Sequence, residues 1–337
     1  MTVIGIDLGG TKISAVLLDP DTRQIAARKT IPTEGKLGPD AVVARIADVC
    51  RAVTADVGIA LDDVRGIGVG MPCVIDYVNG RTLIMANLPG DWHEKPVAAD
   101  LRAQLGRPIW LINDARAFSL AESVWGAGLG YPVVACFTLG TGIGGGIVID
   151  GKLHMGMDNA AAEFGHLTVN LDGSPDGVGV PGSIESLGSG PAIAAAGAKA
   201  VMQGVNTQIG ALVDYDLNMI TPEVVRRAAE LGDIVAQDIL QRAGTAVGAG
   251  IANVITILAP HCVILGGGVT ALGDWILNPI RAALRIYCRT VDVDKSQLVL
   301  AALGADAGAI GAALWAYQHS SSSIGRASSA SRHHSIG

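Results

Sequence analysis

Residues 133–152 read V-V-A-C-F-T-L-G-T-G-I-G-G-G-I-V-I-D-G-K. An apolar run meets Gly140-Thr141-Gly142-Ile143-Gly144-Gly145-Gly146, and a second apolar run leaves it. This pattern predicts two short strands joined by a glycine-rich turn. Glycine there admits positive φ and lets the backbone approach a ligand with no Cβ in the way. Successive N–H groups in such a turn form an anion-binding concavity; the alternative is a hairpin that is merely tight. The pattern recurs at residues 4–19, where an apolar strand runs through Asp7 into Gly9-Gly10-Thr11-Lys12 and a second strand follows. Two copies predict a duplicated architecture whose two turns face one cleft and hold nucleotide phosphates.

Carboxylates and an imidazole are spaced around these turns. Asp7 closes the first strand inside an apolar run, where a carboxylate is costly without a partner. It either caps the turn or holds a water of Mg²⁺, an ion that prefers hard oxygen ligands and keeps its waters. Lys12 is a phosphate contact or a solvated strand residue. Asp114 follows the apolar stretch 108–113, at the carboxyl end of a strand and the start of a helix. That is a place for chemistry in an α/β sheet and also the place of an ordinary N-cap. Glu163-Phe164-Gly165-His166 sets a carboxylate and an imidazole three residues apart, and Glu185 closes the Gly- and Pro-rich loop that follows. Asn87, ahead of Pro89-Gly90-Asp91-Trp92, belongs to a polar wall for a sugar or to an ordinary loop. Gly266-Gly267-Gly268 after a strand gives room for a flat ring, or a tight turn.

Stepwise along the chain, residues 23–33 predict a third strand and its exit, and 39–57 an amphipathic helix. A buried strand at 64–69 precedes a loop-rich stretch at 78–92. A helix at 96–105 and a strand at 108–112 lead to a helix at 117–125. Beyond the second hairpin, helices are expected at 191–202, 222–242, 247–258, 275–287 and 307–317, with strands at 263–265 and 298–301. From residue 319 the sequence is Ser-rich and too poor in apolar residues to pack.

The chain has 337 residues, half of them hydrophobic and 16% charged, enough for one large or two medium cores. No apolar run has the length of a bilayer span. The sequence starts directly in a strand without a signal-peptide pattern. Cys50, Cys73, Cys136, Cys262 and Cys288 have neither metal nor disulfide spacing and read as buried thiols in a reducing compartment, the cytoplasm. A formal charge of −7 disfavours nucleic acid as a partner.

Taken in order, Asp7-Leu8-Gly9-Gly10-Thr11-Lys12, Asn113-Asp114-Ala115, Leu139 to Gly146, Glu163-Phe164-Gly165-His166, Glu185 and Leu265-Gly266-Gly267-Gly268-Val269 resemble the ROK family of sugar kinases and repressors over about residues 3–317. The resemblance implies an α/β, actin-like ATPase fold, a duplicated ribonuclease H-like arrangement of two domains with a central cleft. The expected division is a smaller domain of residues 1–114 with about 302–318, a larger one of 115–301, and a disordered tail at 319–337. It also implies ATP-dependent phosphorylation of a sugar hydroxyl, usually the 6-hydroxyl, with Asp114 as general base. Gly9, Gly10, Thr11, Lys12, Gly140, Thr141, Gly142 and Gly144 would hold ATP phosphates, with Gly266, Gly267 and Gly268 near the adenosine. Asp7 would organise Mg²⁺ through water. Asn87, Asn113, Asp114, Glu163, His166 and Glu185 match positions that bind sugar hydroxyls. The implied protein is a homodimer whose ligand is a small sugar or cyclitol rather than nucleic acid or a membrane.

Many members carry C-x-C-G-x-x-G-C-x-E after the Glu-x-Gly-His motif and bind a structural zinc with that His and three thiolates. Here Asp176, Val178 and Ser183 stand at the cysteine positions, while Gly179, Gly182 and Glu185 keep theirs. One imidazole without thiolates does not make a closed tetrahedral site, so no zinc is expected. The family's Asn-Asp-Ala-Asn is Asn113-Asp114-Ala115-Arg116 here, and its Ala-Gly-Glu is Ala161-Ala162-Glu163. Both changes touch the sugar pocket, which keeps an aminosugar or cyclitol kinase, or a non-catalytic sugar sensor, as the alternative. Polyphosphate is the alternative donor, disfavoured by Gly266–Gly268. A repressor would carry a helix-turn-helix ahead of the first hairpin, and this sequence begins just before that strand.

Overall fold

The computed structural model describes residues 1–85 and 87–330, with side chains as far as Ser320. The chain divides into two units, one of residues 1–129 with the chain from Ala302 onward, the other of residues 130–301.

The first unit contains β1 (Val3–Leu8), β2 (Lys12–Asp19), β3 (Gln24–Pro32), α1 (Pro39–Ala55), β4 (Ile67–Met71), β5 (Cys73–Asp76), β6 (Arg81–Met85), α2 (Val97–Leu105), β7 (Ile109–Asn113) and α3 (Asp114–Val124). Its sheet runs β3-β2-β1-β4-β7. The first three strands are antiparallel, and β4 and β7 join in parallel. The second unit contains β8 (Val133–Leu139), β9 (Ile143–Ile149), β10 (Lys152–Leu153), α4 (Ile184–Gly188), α5 (Gly190–Met202), α6 (Pro222–Glu230), α7 (Ile234–Leu258), β11 (Cys262–Gly266), α8 (Asp274–Tyr287) and β12 (Gln297–Leu300). Its sheet runs β10-β9-β8-β11-β12 with the same alternation of sense. The closing helix α9 (Ala307–Ala330) belongs to the first unit. The duplication read from the two hairpins is thus present strand for strand.

Central strands of both sheets are buried on both faces, as parallel strands covered by helices must be: every residue of β4 and of β11 is buried. Glycine sets how closely the helices lie. A Cβ on Gly5 or Gly68 would stand 1.8 Å from a carbonyl oxygen of α9, and one on Gly311 would stand 1.7 Å from Ala117 O of α3. This packing of α3 on α9 places α3 in the first unit, so the division falls at 129/130 rather than at 114/115. In the second unit Gly244 and Gly248 of α7 lie against α8 in the same manner, with Cβ positions 2.8 Å and 2.7 Å from Ile276 O and Ile280 O.

Three stretches differ from the sequence reading. Residues 78–92, expected to be loop, include half of the β5–β6 hairpin. Its turn is the four residues Tyr77–Gly80, with Gly80 at φ 65° and the Asp76 carboxylate accepting from the N–H groups of Val78 and Asn79. The helix expected at 222–242 is two helices. Gly232 turns at φ 88°, and Asp233 caps α7, which then continues without a break to Leu258. The last helix continues past residue 319, where His319 packs on Trp315 with ring centroids 3.9 Å apart. Residues 331–337 of the expected tail lie outside the described residues. All five cysteines are buried thiols outside any disulfide, and burial pushes Cys50 and Cys73 up to about 12 and Cys262 up to about 11.

Candidate active site

The first unit brings Asp7, the Gly9–Lys12 turn, Asn113 and Asp114 to the ends of β1 and β7. The turn is closed by Gly9 N–H donating to Lys12 O at 2.9 Å. Its outer carbonyls are pinned by Thr33, fully buried, whose hydroxyl donates to Gly9 O at 2.7 Å and whose N–H donates to Thr11 O at 2.9 Å. Gly9 and Gly10 do not adopt positive φ. Their need for hydrogen in place of Cβ is steric: each Cβ would stand 3.2 Å from a carbonyl oxygen, of Lys12 and of Asn87 respectively. Asn87 is exposed and lies beside the turn through that carbonyl.

Asn113, not Asp114, is the N-cap of α3. Its side chain accepts from the N–H groups of Ala115 and Arg116 at 3.1 and 3.3 Å and its amide donates to Cys73 O at 3.3 Å. Asp114 sits one residue later, at the first helical position, with one local bond from Ala115 N–H at 2.8 Å. Burial pushes its carboxyl up to about 6, with the charge of Asp7 adding to the rise and hydrogen bonds from Ala115 N–H, its own N–H and the Asn113 side chain opposing it. Asp7 is pushed up by burial too, with Lys12 opposing. A carboxylate that titrates near neutrality is suited to taking a proton. Arg116 is buried, with its guanidinium 3.2 Å from Tyr77 Oη and over that ring.

In the second unit β8 enters the other turn, whose Gly140 N–H donates to Gly142 O at 2.9 Å. None of Gly140, Gly142, Gly144, Gly145 or Gly146 has positive φ; close approach accounts for Gly142 and Gly145, while a Cβ on Gly140 would meet nothing nearer than Gly142 O at 3.9 Å. A Cβ on Gly142 would stand 2.7 Å from Glu185 Oε2, and one on Gly145 would stand 2.4 Å from Phe164. Gly267 is the exception. It has φ 90°, and a Cβ there would stand 2.4 Å from Leu139 O, so the Gly266–Gly268 segment lies directly against the strand that feeds the Gly140 turn. The Gly140 turn and the Gly266–Gly268 segment are neighbours within one unit.

Phe164 stacks on Phe137 of β8 at 4.5 Å, and Gly165 lies so close to Ile143 that a Cβ would stand 2.1 Å from its carbonyl oxygen. This seats Glu163 and His166 beside the same turn. Glu185, early in α4, accepts from Ile143 N–H at 2.8 Å. Ligand atoms of His166, Asp176 and Glu185 all lie within 4.8 Å of one another.

Sequence reasoning missed three residues. Gly308 at the start of α9 lets that helix N-terminus reach Asp7, because a Cβ there would stand 2.7 Å from the carboxyl carbon; no local signal reveals it. Thr33 pins the first turn from a distance of over twenty residues. Glu122, fully buried, accepts from Ala127, Ala302 and Leu303 N–H groups at 2.8–3.0 Å and so ties the end of α3 to the chain at 302–303.

The description "ROK family" matches residues 3–319. The chain belongs to the ROK family. The ROK chain is 34% identical over 317 residues to the glucokinase of Thermotoga maritima, spanning 93% of this chain and 96% of the relative. Its structure is similar to that of a ROK hexokinase from Thermus thermophilus, with TM-score 0.84 and 31% identity over 96% of this chain and 100% of the other. It is also similar to a ROK family glucokinase from Streptomyces griseus in complex with glucose and AMPPNP, with TM-score 0.76 and 32% identity over 94% and 100%. The ROK chain has the actin-like ATPase fold, and it is an ATP-dependent carbohydrate kinase, a phosphotransferase with an alcohol group as acceptor. Among the described residues no helix is long and apolar enough to cross a membrane.

Proposed function

We propose that this hexose kinase transfers the γ-phosphate of ATP to the 6-hydroxyl of glucose. Asp114 carries the reading: a carboxyl lifted to about 6, released from capping duty by Asn113, at the carboxyl end of a strand. It accepts a hydrogen bond from the attacking hydroxyl and takes its proton as the bond to phosphorus forms. Gly9–Lys12 and Gly140–Gly144 orient the phosphates, and Gly266–Gly268 receives the adenosine. Glu163, His166 and Glu185, with Asn87 and the remaining amide N–H of Asn113, orient the sugar hydroxyls.

The residues fit Mg²⁺. Asp7 is a half-buried carboxylate raised by burial, with Lys12 as the charge opposing that rise, and gains by having a hydrated divalent ion near it. When bound, the ion neutralises charge that builds on the phosphoryl oxygens. The donor set around His166 does not fit a structural zinc, for it offers one imidazole, two carboxylates and no thiolate. A homodimer in the cytoplasm completes the proposal.

The test is ADP release coupled to a visible signal, with Mg-ATP and a panel of glucose, mannose, fructose, allose, N-acetylglucosamine, N-acetylmannosamine and cyclitols. Turnover fastest on glucose supports the reading. The specific observation favouring another acceptor is Arg116, a buried cation two residues past the base; activity confined to an aminosugar or cyclitol would replace glucose with that class. ATP binding with silence across the panel would leave a sensor.

A further inference from the structure

Asp176 is the least exposed carboxylate of the second unit's sugar-side cluster, with a side chain 1% exposed, and it sits at the centre of a hydrogen-bond knot. One carboxylate oxygen lies 2.8 Å from His166 Nδ1. The other accepts from Val178 N–H at 3.1 Å and Val180 N–H at 2.9 Å. The Ser183 hydroxyl donates to the same carboxylate. His166, Val178 and Ser183 are three of the four places where zinc-bearing relatives have ligands, and Asp176 is the fourth. Here the fourth residue has become an anion, and the other three present it with donors.

The rest of the loop is built around this centre. Asp176 N–H donates to Val180 O at 3.0 Å, and Gly179 turns at φ 95° to donate to Asp176 O at 3.1 Å. Ser183 goes on to cap α4, accepting from Ser186 N–H at 3.2 Å, and α4 carries Glu185 to Ile143 beside the phosphate turn. Burial alone would raise the Asp176 carboxyl. The hydrogen bonds from His166, Ser183, Val180 and Val178 overcome it and hold the group well below the usual carboxylate range. The anion is therefore present at any pH at which the enzyme would work.

We propose that Asp176 is the positioning residue of the sugar site, a buried carboxylate that takes over the place of a metal ion. It accepts a hydrogen bond from His166 Nδ1–H and so fixes the imidazole as the tautomer whose Nε2 is a bare acceptor. Through Ser183 it also sets the start of α4 and the placement of Glu185. The inference rests on reading His166 as a sugar contact. It deepens that reading into a specificity: His166 Nε2, Glu163 and Glu185 are then acceptors only. This side of the site takes a neutral polyol that donates its hydroxyl protons, and it rejects a sugar acid whose carboxylate would face those acceptors.

The first measurement uses the unaltered full-length protein. Long-range ¹H–¹⁵N correlation spectra, with His166 assigned by its disappearance in His166→Gln, should show the Nδ1–H tautomer. An Nε2–H tautomer would overturn the proposal, as would stoichiometric zinc in the purified protein by elemental analysis. Kinetics then separate the two layers. Asp176→Asn should raise the KM for glucose about tenfold, the scale of losing one well-placed hydrogen bond, while KM for ATP stays within about twofold and kcat changes less than KM. The double variant with His166→Gln should be worse than His166→Gln alone by less than the full Asp176→Asn effect, the remainder acting through Ser183 and Glu185. If His166→Gln leaves the sugar KM unchanged, the sugar-contact reading fails. If His166→Gln raises it and Asp176→Asn does not, or the two effects add, only the positioning role fails. Glucuronate should not compete with glucose; competition at similar concentration counts against the acceptor-only pocket.

Discussion

Asp7 and Asp114, in the unit built on β1 to β7, are held where burial raises their pKa, and Asp114 is lifted to about 6. Asp176 and Asp233, in the unit built on β8 to β12, are surrounded by enough donors to overcome burial and are lowered. The sheets of the two units have the same order and sense, so the fold itself does not explain the difference. What differs is the number of hydrogen-bond donors that each carboxylate finds. At Asp7 and Asp114 the first unit leaves a carboxylate short of donors, a condition that favours proton transfer or metal binding, whereas its Asp76 is satisfied by Val78, Asn79 and Arg81 and is lowered. The second satisfies its anions fully and uses them to fix loops and caps, as Asp233 does for α7.

The largest effect expected from breaking this contrast is at Asp114. Asp114→Asn should lower kcat by roughly 10²–10⁴-fold, the range of a lost general base, with a smaller change in sugar KM. The same variant should unfold at a higher temperature at pH 8. A folded pKa above the unfolded value means that stability is lost as pH rises from about 4 through about 6; the amide removes that loss. A variant that is both slower and less stable at pH 8 would argue for an ordinary structural Asp.

Next in size is a stability loss in the other unit. Asp176→Ala leaves Val178 and Val180 N–H groups and the Ser183 hydroxyl without their acceptor, at a cost of about 3 kcal/mol, read as a fall in the denaturation midpoint at unchanged m-value. The pH dependence has the opposite sign to that of Asp114. The stabilisation by Asp176 is complete above about pH 4 and is lost only as pH falls toward its depressed pKa. Melting curves of wild type and variant should therefore converge in strong acid and stay apart at neutral pH.

A smaller effect sharpens the catalytic side. In wild type, kcat/KM should fall tenfold per pH unit below about 6 as Asp114 protonates. An acid limb near 4 would mean that the carboxyl is better satisfied than its surroundings indicate. Smallest of all is Ala162→Gly. Ala162 has φ 65°, the left-handed region, at the position where the family pattern has glycine. Glycine there should stabilise the protein by about 1 kcal/mol, seen as a rise of a few degrees in Tm.

Much of this was legible in the chain. The paired strand–glycine–strand hairpins announced a duplicated α/β fold, and the order of the motifs pointed to the family. The loss of three cysteines was visible, but not what replaced them. The Tyr77–Gly80 turn and the Gly232-Asp233 break also carried local signals that the broader hydrophobic pattern obscured. At the two glycine turns the sequence left two reasons open, positive φ and close backbone approach; Gly9, Gly10 and Gly142 lack positive φ, and their Cβ positions are crowded by Lys12, Asn87 and Glu185.

Local pattern fixed the elements, because apolar period, turn residues and caps act over a few positions. Asn113 and Asp114 adjoin in the chain, and sequence could not say which would cap α3. Tertiary packing made Asn113 the cap and left Asp114 buried with few donors, which sets its proton affinity. Only packing could set Gly308 against Asp7, Thr33 against the first turn and Asp176 against His166. A pKa or a tautomer depends on every group within a few ångströms, and beside near neighbours such as Ala115 and Val178 those groups include residues ten to three hundred positions away.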